Sequence, residues 1–333
     1  TLPRAFGDDE LVMNDDIVSI GLSAHRASVP QTFVPLAELS ITSPPESLAA
    51  FGFDGAWIGQ EISSLALQTA QQALADARVE PQEIDALLWV SALPQAHQRA
   101  SAAAAAPESL AAFCYQASWL QETLGLDQAF VSGVAQQGCA GMFTVLRQAR
   151  ALLLAEPDMS HILCVGADAL PATSSREILY NVISDAAAAV VVSRGACPYR
   201  WVGYHQISKG YYWDVPLRQS EIIAAYFPTA AITIRKVLQQ YALNPQDIDW
   251  VIPTGVNATS WPILMRLCGI PEERLYQPRC RFGHTIAADS FLILEESRAS
   301  GALRPGQKLL LFAYGFGSSW AALILETTDS IEA

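Results

Sequence analysis

The sequence has no uninterrupted run of about 18 apolar residues, the length a membrane-spanning helix requires. Pro, Gly, Asp or Arg breaks every candidate, including 161–170 and 309–315, so a soluble protein is expected. Positive charge is scarce as well: 20 Lys and Arg stand against 33 Asp and Glu, giving a formal net charge of -13. Phosphate backbones are held by concentrated Lys and Arg, which argues against nucleic acid as a partner. The same balance disfavours a broad docking surface for an acidic carrier protein. Cysteines 114, 139, 164, 197, 268 and 280 are widely spread, with no CxxC pair and no HxxxH among the histidines. No metal site is therefore assigned. Without a secretory leader ahead of them, most of these thiols are expected to be buried, in a reducing cytoplasm. The glycines after Tyr314 lack the Lys-Ser/Thr of a phosphate loop and the strand-glycine-helix order of a dinucleotide site. They read instead as backbone approaching a substrate.

Apolar residues, by contrast, are plentiful. Of 333 residues, 51% are hydrophobic and 16% are charged, enough to bury a large core. The length suits two fused halves of about 150 to 200 residues each. Residues 1–15 are polar and expected to be a disordered or vector-derived start, 16–197 a first half and 198–333 a second.

Short, wholly apolar runs alternate with segments of helical period. Strands are expected at 17–22, 86–90, 129–134, 161–167, 185–193, 201–204, 250–252, 309–314 and 320–325. Helices are expected at 60–77, 116–124, 139–154 and 226–241. The Ala-rich stretch 95–112 around Pro107 reads as a loop or short surface helix and receives no chemistry. "VEPQEIDALLWVSA" and "LNPQDIDWVIPTG" both place Pro, Gln, an acid, Ile and Asp between a helix and a buried strand. This is an internal repeat. Buried strands alternating with helices imply mixed, mostly parallel sheets covered on both faces, and two similar halves make an αβαβα layered sandwich the simplest architecture.

"FVSGVAQQGCAGMFTVLRQARALLLAE" puts a small-residue turn and Cys139 directly before an almost uncharged helix. The unpaired amides and the positive end of the helix dipole fall at Cys139, favouring the thiolate that performs nucleophilic attack. Gly138 and Gly141 leave room for a substrate. An isolated cysteine in an apolar chain is usually a buried thiol, but the context here is not isolated. The segment, together with "SDAAAAVVVSRG", "PTGVNATSWPILMRLCGIPEERLY", "RFGHTIAADSF" and "LLLFAYGFGSSWAALIL" in that order, resembles β-ketoacyl carrier-protein synthase III and its relatives, the ketosynthase III-like branch of the thiolase superfamily. The likeness runs from residue 17 to residue 325.

The resemblance implies the thiolase fold and a homodimer. It implies an acyl group taken onto Cys139 as a thioester from coenzyme A or carrier-protein phosphopantetheine, with no permanently bound cofactor. The oxyanion would be held by the amides of Cys139 and of Phe316 in the glycine turn, two fixed N–H groups aimed at the developing charge. Condensing relatives pair the cysteine with a histidine in a PHQAN-like loop and an asparagine in a GNT-like loop. Here the first loop reads Pro253, Thr254, Gly255, Val256, Asn257, and the second Gly283, His284, Thr285. Thr254 stands at the histidine position and His284 at the asparagine position.

Threonine is no base near neutral pH, so decarboxylative condensation loses its usual machinery. Acyl transfer needs only the thiolate, the oxyanion hole and one base. His284 is the first candidate for that base, with Asp289 to orient it; His205, on the strand entering the second half, is the other. His25, His97 and His161 read as surface or loop residues. The expected function is an acyltransferase acting on a hydroxyl or amine of a specialised metabolite. A divergent condensing enzyme and a non-catalytic heterodimer subunit are the alternatives. For the donor's carrier, Trp57 is displaced from the usual adenine-stacking position, the first arginine after "VGADALPA" is Arg176, and Arg266 is the basic residue kept on the helix after the Thr254 loop.

Overall fold

The computed structural model describes residues 19–59, 62–93, 115–171, 173–279 and 283–332. The chain begins with β1 (Ile20–Ser28), β2 (Thr32–Pro35), α1 (Pro45–Ala50), β3 (Gly55–Ile58), α2 (Ile62–Ala77) and β4 (Ala86–Val90). It continues through α3 (Gln116–Leu124), β5 (Phe130–Val134), α4 (Gly141–Ala155), β6 (His161–Asp168), β7 (Glu177–Ile178), β8 (Asn181–Val182) and β9 (Ala186–Arg194). Then follow β10 (Tyr199–Ser208), α5 (Val215–Gln240), β11 (Trp250–Ile252), α6 (Ser260–Cys268), α7 (Asp289–Ala299), β12 (Lys308–Gly315) and β13 (Ser319–Thr327).

Nine of these strands are hydrogen-bonded in the order β11-β12-β13-β10-β1-β9-β6-β4-β5. β4 runs parallel to β5 and β6, and β11 to β12, while the other pairings are antiparallel. The chain passes from the β1-β9-β6-β4-β5 part to the β11-β12-β13-β10 part between β9 and β10, and the two parts meet along β1 and β10. The central strands, such as β6, β9 and β13, are apolar on both sides because both sides are covered. Val190 of β9 and Leu323 of β13 share a core with Phe143 of α4 and Phe291 of α7. Their neighbours point the other way, Val191 towards α2 and α3 and Ile324 towards α5 and α6. The layers therefore run helix, sheet, helix, sheet, helix, with α4 and α7 in the middle: the αβαβα sandwich of the thiolase fold.

The sequence repeat is a repeat of structure. Pro81–Glu83 and Pro245–Asp247 each form a short 3-10 turn closed by a capping box, and Ile84 and Ile248 are both fully buried behind them. Asp85 accepts from His161 N at 3.0 Å and Asp249 from Lys308 N at 2.8 Å. In each half the aspartate ties its own strand to the start of the next.

Several expected boundaries move. The helix expected at 226–241 begins eleven residues earlier, at Val215, where the Asp214 side chain accepts from Leu217 N at 3.1 Å. Its first half faces largely outward and has no apolar stripe to read. The helix expected from residue 139 starts at Gly141, with Cys139 in a 3-10 turn, Gly138–Ala140. The first strand starts at Ile20, and residues 95–112 lie outside the described residues. Among the histidines, His97 also lies outside them, and His161 is half-buried against Ser193 Oγ at 2.8 Å. His25 is not a surface residue: it sits within β1, edge-on to Tyr199 at 5.2 Å between ring centroids. Cys164, Cys197 and Cys268 are buried free thiols, pushed upward by burial, the last two to about 11. Cys114 and Cys280 are outside the described residues. No described helix is long and apolar enough to cross a membrane.

Candidate active site

Beyond β5 the backbone turns through Gln136, at φ +65°, and Gly138, at φ +51°, into the 3-10 turn that carries Cys139. Gly315, Phe316, Gly317 and Ser318 form the tight turn between β12 and β13 and lie directly against it. A Cβ on Gly138 would fall 2.3 Å from Phe316 N, and one on Gly315 would fall 1.9 Å from Gln137 O and 2.7 Å from Cys139 N. Only glycines permit two backbones to approach this closely. The amides of Cys139 and Phe316 accordingly sit on two apposed segments at the start of α4.

The Gln137 side chain fastens these segments from below. Its Oε1 accepts from Gln206 Nε2 on β10 at 2.8 Å and from Ser319 Oγ on β13 at 2.8 Å. Tyr204 OH donates to Gln206 Oε1 at 2.7 Å, and Ser208 Oγ meets Ser319 Oγ at 2.7 Å. This network was not legible beforehand, since its members come from three elements; the paired polar residues in "VAQQGCAG" were the available signal.

Facing the thiol is His284, 6% exposed, with Nε2 at 2.9 Å from Cys139 Sγ. Its backbone is clamped between Val182 O and Ser184 N at 2.6 and 2.9 Å. Its Nδ1 is hydrogen-bonded to the buried carboxylate of Asp289. A 3-10 turn, Ile286–Ala288, folds Asp289 back onto His284, with Ile286 at φ +57°, a conformation a β-branched residue adopts only under strain. Asp289 also accepts from Gly255 N at 2.7 Å, Thr285 N at 2.5 Å and Thr285 Oγ1 at 2.6 Å. Burial opposes a charge on His284, but the carboxylate of Asp289 and the sulfur of Cys139 outweigh it and hold its pKa well above the usual value.

Thr254 and Asn257 line the same cavity, on the loop whose Gly255 amide holds Asp289. Thr254 O accepts from Trp261 Nε1 at 3.2 Å, and Asn257 Oδ1 accepts from Thr259 N at 3.0 Å. His205 is not brought to the thiol. Side chains alternate along a strand: Gln206 of β10 faces Gln137, so His205 faces the opposite side, bonded to Gln240 at the end of α5 at 3.1 Å. It is thereby removed as a candidate base. Trp57 packs edge-on against Phe33 at 5.2 Å, and Arg176 is buried in an ion pair with Asp185, so this arginine is not free to stack on an adenine. Arg266 is exposed and paired with Glu272 at 2.9 Å.

The cavity measures about 810 Å³ and runs from Cys139 and His284 past Tyr314, Phe316, Tyr226 and Phe227 to a mouth at Trp213 and Tyr180. Burial pushes the phenols of Tyr226 and Tyr314 upward, so both are neutral. Gln136, Leu179, Tyr180 and Ile286, four of the seven non-glycine residues with positive φ among the described residues, line it. Among the described residues no group of three or more side chains is placed to hold a metal ion.

Residues 135–210 match the family described as 3-oxoacyl-(acyl-carrier-protein) synthase III, and residues 238–327 match the C-terminal region of the same synthase. The β-ketoacyl-(acyl-carrier-protein) synthase III of Sodalis glossinidius (strain morsitans) is 25% identical over 285 residues, 80% of this chain and 84% of that one. The crystal structure of 3-oxoacyl-(acyl-carrier-protein) synthase III from Aquifex aeolicus VF5 superposes with a TM-score of 0.79 at 21% identity, over 92% of this chain and 99% of that one. ChlB3, described as an acyltransferase, also superposes with a TM-score of 0.79 at 21% identity, over 93% and 98%. The chain therefore belongs to the β-ketoacyl carrier-protein synthase III-like branch of the thiolase superfamily, whose enzymes transfer or condense acyl groups.

Proposed function

We propose that the protein is an acyltransferase that carries an acyl group on Cys139 from a coenzyme A or carrier-protein phosphopantetheine thioester to a hydroxyl or amine of a specialised metabolite. The observation that carries this reading is the Cys139–His284–Asp289 line, with His284 Nε2 at 2.9 Å from the thiol and a threonine where a condensing histidine would stand. Cys139 as thiolate attacks the donor carbonyl, and the oxyanion is held by the Cys139 and Phe316 amides. The donor C–S bond breaks, and the leaving thiolate takes the proton from His284. The acceptor O–H or N–H then gives its proton to His284 Nε2 as its heteroatom bonds to the acyl carbon. The bond to Sγ breaks, restoring thiolate and imidazolium.

The charge of Cys139 tunes this sequence. A thiolate helps hold the proton on His284; acylation removes that charge and lowers the histidine's pKa, turning it into a base when the acceptor arrives. Asp289 keeps Nδ1 protonated, so Nε2 is the atom that exchanges protons. The reading includes a homodimer, for which β5, which ends the sheet and exposes Phe130, offers one open edge.

Incubation with a panel of acyl-coenzyme A and acyl-carrier thioesters, followed by intact mass, tests the reading: an acyl adduct forms and is absent from Cys139→Ala. The relatives' name, synthase, supports a second reading as a condensing enzyme. Release of carbon dioxide from a malonyl thioester distinguishes it and would overturn the acyltransferase assignment.

A further inference from the structure

Past the reaction centre the cavity is walled mostly by apolar side chains, and described apolar residues on its rim are exposed. Trp213 is 80% exposed, Tyr180 55% and Ile223 49%, and all three border the cavity. Single exposed apolar residues need no explanation, but three on the rim of one cavity are a recognition surface. The cavity itself says what covers them: the molecule that occupies it. Apart from the Cys139–His284 pair, every described side chain along it is neutral. The amide oxygens at the cavity are already occupied, Asn181 Oδ1 accepting from Asn257 N on the facing loop at 2.9 Å and Asn257 Oδ1 from Thr259 Oγ1 at 2.7 Å. What the outer cavity offers for recognition is chiefly apolar area, with the neutral side chains of Gln136, Thr254 and Ser260 beside it.

The wall carrying Trp213 and Ile223 is also lightly buried. Between Val215 and Phe227 only Ile222 is buried, whereas the helix beyond Pro228 is anchored by Ala230, Ile234, Val237 and Leu238. Pro228 lacks an amide hydrogen and so breaks the hydrogen-bond ladder between these parts. A wall of this kind adapts to a bulky occupant.

We propose that the outer cavity binds the acyl acceptor, and that the acceptor is a neutral alcohol or amine whose broad apolar face, of two or more fused rings, rests on Trp213, Tyr180 and Ile223. This rests on the acyltransferase reading and names its substrate class. The acceptor reaches inward with its O–H or N–H towards His284 Nε2, while its rings cover the rim. A carboxylate of similar size loses water there and meets only neutral described side chains in return.

Protection of Cys139 from iodoacetamide tests this on the full chain without knowledge of the donor. Naphthylethanol slows alkylation saturably, and naphthylacetate protects at least about tenfold more weakly. Trp213→Ala weakens protection by naphthylethanol about tenfold, the loss expected when an aromatic face of this size is removed. Leu217→Ala, in the first turn of α5, four residues past Trp213 and off the cavity, leaves protection within about twofold. Equal protection by naphthylacetate, or undiminished protection in Trp213→Ala, overturns the proposal. So does a change in the association state of Trp213→Ala by sedimentation, which would make a second copy the rim's cover. A protein that forms the acyl adduct but is not protected fails this inference alone; a protected protein that forms no adduct fails the acyltransferase reading instead.

Discussion

Replacing Asp289 by asparagine changes one atom of the site and tests the whole line of reasoning from geometry to chemistry. The carboxylate is buried and accepts four hydrogen bonds, from His284 Nδ1, Gly255 N and both the amide and hydroxyl of Thr285. An asparagine keeps the shape, and its oxygen can retain both Thr285 contacts. Its Nδ2 then occupies the position that faced Gly255 N–H and His284 Nδ1–H, donors meeting a donor. Leaving the Gly255 amide unsatisfied costs about 1–3 kcal/mol of stability, read by urea unfolding. His284 avoids its own clash by moving its proton to Nε2, where it can no longer accept one from the substrate. Transfer from acyl-Cys139 should fall about 10²- to 10⁴-fold, the range set by losing a base and its orienting carboxylate. The pH dependence carries a sign as well. In the acyl-enzyme, Asp289 raises the His284 pKa against burial, and transfer requires the neutral imidazole, so removing the negative charge shifts the ascending limb to lower pH while the plateau drops. Stopped-flow or quenched-flow transfer from pre-acylated enzyme gives both readings. An Asp289→Asn enzyme within about threefold of the parent rate, with an unmoved limb, would refute the assignment of His284 as base.

Other consequences are equally direct. Gln137→Ala and Gln206→Ala each lower unfolding free energy by about 1–2 kcal/mol, and the double variant costs less than their sum by at least about 0.5 kcal/mol, because they share one hydrogen bond at 2.8 Å. Additive losses in urea unfolding would show the network to be incidental. Gly315→Ala should cut formation of the Cys139 adduct by about 10²-fold or more, since its Cβ meets backbone atoms that cannot rotate away; normal adduct formation on intact mass would contradict the close approach. His25 is held neutral, its pKa lowered to about 3 chiefly by burial and further by Arg298 and Arg26, against Asp76. Because the unfolded histidine titrates near about 6.5, the stability tied to its neutrality is fully present above that pH and is lost as pH falls towards about 3. Melting temperatures from pH 7 to 4 should therefore fall less steeply in His25→Leu, and parallel curves would count against the assignment.

The layered fold was legible because its strands are apolar on both faces and because the Pro-Gln-acid-Ile-Asp repeat marks the same junction in each half. Cys139 was legible from the small residues around it and the uncharged helix that follows. Its contact with His284 rested on resemblance, since a separation of 145 residues leaves no local pattern. The return of Asp289 to His284 was less accessible still. Residues five apart do not face each other on a regular helix, and the contact exists because Ile286 takes a left-handed conformation that composition does not advertise. His205 was offered as a second base without an assigned face, and strand alternation puts it on the side away from Gln137. The first half of α5 was missed because, up to Phe227, only Ile222 is buried, and one buried residue makes no helical period to read.

The seam between the cysteine turn and the Gly315–Ser318 turn has a bearing on how this protein can diversify. At Gly138 and Gly315 a single added carbon meets main-chain atoms, so the space of tolerated sequence there is nearly one residue wide. At Trp213, Tyr180 and Ile223 side chains end in solvent, and substitution costs the fold little. Reaction and recognition thus occupy separate mutational territories within one cavity. A library restricted to the rim would sample new acceptors while leaving the acylation chemistry fixed, and descendants of this chain can drift in what they modify without drifting in how.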